Sequence, residues 1–135
     1  MIVRSLLASL VVVALTLSAG SPSASADDAK ERALCLELTD YALRANAQAG
    51  KWIDRVTRHD GMVVACEDKK IELKRFMRVA LETDRDAWRE RQEVEFRQAS
   101  CSNTLARRAM EEGWEVLATY TMATGRSISL SAECD

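Results

Sequence analysis

The chain is poor in the residues that interrupt helices and in those that do most enzyme chemistry. It has one proline, one histidine and an aromatic content of 5% over 135 residues. The proline, Pro22, lies in the first 26 residues, so none follows Asp27. A proline-free stretch rich in Ala, Leu, Arg and Glu is a helical composition. His59 has no second imidazole to share a metal with, and no two cysteines fall at C-x2–4-C spacing. A C-x-x-C-H haem attachment site is also missing. No cofactor or metal is therefore expected. An excess of charge is lacking too: 19 Lys+Arg stand against 21 Asp+Glu, a net charge of −2. That balance gives no electrostatic footprint for nucleic acid or anionic lipid.

What is present begins with the N-terminus. Arg4 precedes an apolar run, Leu6 to Leu17, then a small polar stretch ending in Ala24-Ser25-Ala26 and Asp27-Asp28. This is the charged, apolar and small-residue order of a secretory signal peptide over residues 1–26, cleaved after an A-x-A site. The apolar run is too short for a span of about 20 residues, so no membrane anchor is expected after cleavage. Leu34 before Cys35 does not fit a lipid-modified cysteine. Residues 27–135 make one domain's worth of chain, with 18 basic and 21 acidic residues and a net charge of −3.

Four cysteines, at 35, 66, 101 and 134, together with export, predict two disulfides. Apolar spacing predicts an all-α fold of three helices. The first runs over about 28–59, on Leu34, Leu38, Tyr41, Ala45, Ala49, Trp52 and Val56. The second runs over about 63–99, with a break possible at Thr83-Asp84. The third covers about 103–124, and a polar tail, 125–135, follows. Gly61 and Gly125 fall where helix C-terminal caps belong. An antiparallel up-down-up bundle would join Cys35 to Cys101 and Cys66 to Cys134, the connectivity that links like ends. It would also bring Trp88 towards Trp114, and set Trp52 level with Phe76.

Candidate chemistry is thin. His59 beside Asp60, with Glu67-Asp68 one loop away, has the residue types of an acid–base site. A single histidine without nucleophile or metal fits better as a charge at a helix C-terminus. The adjacent acids Asp27-Asp28, Glu67-Asp68 and Glu111-Glu112 point about 100° apart on a helix and cannot face one another across a bond. Arg75, Arg78, Arg85, Arg89, Arg91 and Arg97 are interleaved with acids, which describes a solvated face more than an anion site. Met62, Met77, Met110 and Met122 are scattered and suit packing better than a soft metal. Gly50 and Gly113, read as helix-interior glycines beside Trp52 and Trp114, fit close helix crossing best, with a ligand groove along these four residues as the alternative.

In cysteine count, export and helical character the chain resembles small exported helical domains with four cysteines, among them some periplasmic lysozyme inhibitors. That resemblance implies export and a helical fold but carries no site residue. The function expected from the sequence is non-enzymatic: a secreted or periplasmic protein that binds a protein partner of the envelope or outside the cell. A helical bundle binding a small ligand or metal is the alternative.

Overall fold

The structure is a computed structural model that describes residues 25–79 and 85–135. The expected signal sequence and the expected break at Thr83-Asp84 lie, apart from Ser25 and Ala26, outside the described residues. The fold is not the expected all-α bundle. Among the described residues three helices accompany a four-stranded mixed sheet, in the order α1 (Ala26–Asn46), β1 (Thr57–Ala65), β2 (Lys70–Met77), α2 (Arg85–Ser102), α3 (Thr104–Glu111), β3 (Glu115–Met122) and β4 (Ser127–Ser131).

The strands lie side by side in sequence order. β1 and β2 form an antiparallel hairpin, and so do β3 and β4. β2 and β3 are parallel, so a crossover must join them, and α2 and α3 supply it. Alternation along the strands explains the sheet. In β2 the side chains of Ile71, Leu73, Arg75 and Met77 share one face; in β3 so do Val116, Ala118, Tyr120 and Met122; in β4 so do Ile128 and Leu130. That face is buried beneath the helices. The opposite face carries Lys74, Thr119, Thr121, Ser127, Ser129 and Ser131, the side expected of a sheet open to water.

The helical reading of these segments fails for an identifiable reason. Leu73, Phe76 and Met77 stand at helical i, i+3, i+4 spacing, but in the strand Phe76 lies on the face opposite Leu73 and Met77. The segment 116–122, with β-branched and aromatic residues at Val116, Thr119, Tyr120 and Thr121, suits a pleated surface. Its neighbour, 127–131, alternates strictly between serine and an apolar residue. The first helix ends at Asn46 rather than near 59, and Gly50 lies in the turn that follows, at φ +86°.

Gly113 is a helix stop, not a helix interior. It adopts φ +85°, its N–H donates to the Met110 carbonyl and the Trp114 N–H reaches back to the Ala109 carbonyl. These two bonds form a Schellman motif, which satisfies carbonyls left open at the end of α3. Trp114 and Ala109 then pack together in the core. Gly61 caps no helix: it sits in a register shift of β1 at φ +124°.

Two apolar clusters fill the space between sheet and helices. Leu34 and Leu38 of α1, Ala109 of α3, Trp114, Ile71, Val116 and Ala132 make one. Trp88 of α2, Tyr120, Met77, Met122, Ile128 and Leu130 make the other. Phe96 of α2 packs against both. Trp88 meets the Tyr120 ring edge-on, with centroids 5.1 Å apart, so the expected approach of Trp88 to Trp114 is replaced by one tryptophan in each cluster.

Two disulfides form, as expected, but their pairing differs. Cys35 joins Cys66, tying α1 to the turn of the first hairpin, and Cys101 joins Cys134, tying the end of α2 to the segment after β4. The expected pairing of 35 with 101 and 66 with 134 rested on antiparallel helices. Once Cys66 ends a strand lying beneath α1, its neighbour is Cys35.

Candidate functional site

The two helical layers do not meet along their whole length. Ion pairs connect α1 with α3 and with the first hairpin: Lys30 with Glu112 at 2.5 Å, Lys69 with Glu31 at 2.6 Å, and Arg108 with Glu37. Farther along, Tyr41 of α1 is joined to the α2–α3 junction by a 3.3 Å hydrogen bond from Asn103 Nδ2 to its hydroxyl. Asn103 is held by its own role as the N-cap of α3, where Oδ1 accepts from the Ala106 N–H.

Between these supports lies an open cleft of about 160 Å³. Its α1 wall is Leu38 and Tyr41. Its far wall is Phe96, Ala99 and Ser100 of α2 with Leu105 and Ala106 of α3. Its floor is the sheet, with Met62, Ile71, Leu73, Arg75 and Val116. The lining is mostly hydrocarbon and Arg75 is its one charged residue. The sequence did not single out this cleft, because a helical reading of 63–99 places Leu73 and Phe96 along one rod instead of on facing layers. The recoverable signal was the alternation Ile71-Leu73-Arg75-Met77, an arginine in register with an otherwise apolar sheet face.

Arg75 is fixed from below. Its Nη1 donates to the Tyr120 hydroxyl at 2.8 Å, and that hydroxyl donates to Gln92 Oε1 of α2 at 3.3 Å. Its guanidinium carbon lies 5.6 Å from the Tyr120 ring centroid, a cation–π distance. Nε is buried and has no hydrogen-bond partner.

The expected groove of Gly50, Trp52, Gly113 and Trp114 is not brought together. Trp114 precedes β3 at the end where Lys70 begins β2, whereas Trp52 packs edge-on against Phe76 near the other end. Five residues of strand separate Lys70 from Phe76, roughly 20 Å at the rise of a strand. Trp114 is buried, and its Nε1 has no partner. Trp52 is 42% exposed on the open face, with the Arg78 guanidinium 4.2 Å from its ring centroid, while the Arg58 guanidinium lies 4.7 Å from that of Phe76. The expected proximity of Trp52 and Phe76 is found, though through a loop and a strand rather than two helices.

His59 lies on β1, and its Nε2 is 3.0 Å from the carbonyl of Ala45, in the last turn of α1. Asp60 pairs instead with Arg58, and Glu67 and Asp68 lie beyond the far end of β1. Among the described residues no three His, Cys, Asp or Glu side chains cluster as a metal site would require. Arg89 pairs with Glu93 on the surface of α2, while Arg75 leaves the supposed arginine series for the sheet.

No protein-family pattern matches the chain, and no curated protein matches it in sequence. Its fold is similar to two solved structures. One is a protein of Pseudomonas aeruginosa classed as secreted: TM-score 0.60, 16% identity, covering 78% of this chain and 93% of that one. The other is EpsS, the pilotin of the Vibrio vulnificus type 2 secretion system: TM-score 0.54, 16% identity, covering 77% of this chain and 91% of that one. At such identity the likeness is one of fold: an α/β architecture.

Proposed function

We propose that this is an exported protein, secreted or held in the periplasm, that works by binding a polypeptide partner and not by catalysis. The observation that carries the reading is the open, hydrocarbon-lined cleft between α1 and the α2–α3 junction. Contiguous exposed apolar surface beside a few placed polar groups is where another molecule can dock. The walls of the cleft are helices and its floor a sheet, so its shape is largely preformed.

Two further facts support the reading. Both disulfides suit an oxidising compartment. The fold is shared with a protein classed as secreted and with a pilotin of a secretion system, proteins whose names place them in export or the envelope.

A photo-crosslinking side chain placed at the cleft rim tests this. At Ala99 or Ala106 it should capture a discrete polypeptide in envelope or culture fractions, and filling the cleft with Leu73→Trp should abolish the adduct. The same probe at Ser129, on the open sheet face, should capture none. Adducts from Ser129 alone would place the partner on the other side of the molecule and defeat the proposal.

A further inference from the structure

The cleft holds a cation without a counter-charge. Among the described residues no carboxylate lies within ion-pair distance of Arg75. Asp54 feels its charge, but that carboxylate is committed to the loop before β1, where Oδ1 accepts from the N–H groups of Val56 and Thr57 at 2.8 and 2.7 Å. A buried N–H without an acceptor is unfavourable, and more so when the group is charged. Arg75 Nε is such a group. The Tyr120 hydroxyl meanwhile holds the guanidinium through Nη1, and Gln92 in turn holds that hydroxyl, so the cation on the cleft floor is preorganised.

Building on the polypeptide-binding reading, we infer that the cleft recognises a carboxylate carried beside a large apolar side chain of the partner. The Arg75 guanidinium would donate to that carboxylate from the cleft floor, and Leu38, Leu73, Phe96 and Leu105 would take the apolar side chain. Charge complementarity selects an anion, and the flat guanidinium edge matches the planar geometry of a carboxylate. A volume of about 160 Å³ holds one such side chain with its carboxylate, and not a whole folded segment.

The test uses three blocked amino-acid probes and the intact, oxidised protein labelled with ¹⁵N. N-acetyl-leucine carries its carboxylate at the chain end. N-acetyl-glutamyl-leucinamide carries it on a side chain. N-acetyl-leucinamide carries none. At least one acid should bind about tenfold more tightly than the neutral amide, as a charge-assisted hydrogen bond allows, and should move the Arg75 Nε–H resonance. The tighter acid identifies where the partner carries its carboxylate. Arg75→Gln should bring acids and amide to equal affinity, and Arg75→Lys should restore part of the difference. Equal binding of acid and amide to the wild-type protein, no binding by either acid, or acid binding that leaves the Nε–H resonance unmoved overturns the inference. Equal binding within the cleft would sink the carboxylate alone and leave the polypeptide reading standing. Acid recognition with no crosslinked partner would do the reverse.

Discussion

Gly61 shows how a single position can fix a local geometry. At φ +124° it occupies a backbone region that L side chains rarely adopt, and an added Cβ would stand 2.9 Å from Asn46 Oδ1. That oxygen is not free to move, because Asn46 accepts from the Met62 N–H at 2.6 Å and donates to the Met62 carbonyl at 3.0 Å. Gly61→Ala therefore combines backbone strain with the loss of a clamp between α1 and β1, and should destabilise by about 2–4 kcal/mol in chemical denaturation. Gly113→Ala meets no neighbour within 4 Å and should cost only about 1 kcal/mol, from its positive φ alone. Both glycines were visible in the sequence as punctuation. What each punctuates was not: Gly113 followed by a large apolar residue is compatible with a helix stop or with a helix-interior notch, and the hydrogen bonds that decide between them are invisible in a list of residues.

Among the elements, α2 is the most precariously attached. It is polar along most of its length and buries only Trp88 and Ser100, with Gln92 and Phe96 partly buried between them. Trp88 holds one end and the Cys101–Cys134 bond the other. Replacing both cysteines with alanine should cost about 2–4 kcal/mol, and hydrogen exchange should quicken first in the last turns of α2, ahead of the sheet. Uniform loss of protection across all four strands would contradict this attachment. Beside the apolar cluster that α1 and α3 share, exposed ion pairs also join them. The Lys30 hydrogen bond holds the Glu112 carboxyl below its usual range, and the same contact raises Lys30. The stabilising part of the Glu112 shift is fully present above the ordinary glutamate value and disappears as pH falls through the lowered one. That of Lys30 is present below its ordinary value and lost as pH rises through the raised one. Backbone resonances near Lys30 and Glu112 should therefore shift together on acidification below about pH 4.5, and high salt should weaken the pair at neutral pH. The helical start at Asp27-Asp28 was legible from the sequence, and there the Ser25 hydroxyl accepts from the Asp28 N–H; 127–131 was not, because two apolar residues among serines do not tell a strand from a polar tail. The middle of the chain was not, because short amphipathic strands satisfy both periodicities and the lack of proline suits an interior strand as well as a helix.

For the molecule as a whole, the pairing of the cysteines has a consequence for how the chain matures. Each bond joins cysteines that are neighbours in sequence, at separations of 31 and 33 residues. A chain that enters an oxidising compartment from its N-terminus presents Cys35, then Cys66, then Cys101, then Cys134. Every thiol thus finds its correct partner in the next one to arrive or the one just before it. The first loop can be locked around α1 and β1 before the third thiol has emerged, so oxidation in order of appearance would itself yield the observed pairs. Interleaved pairing, as an antiparallel bundle would impose, could not mature in that way.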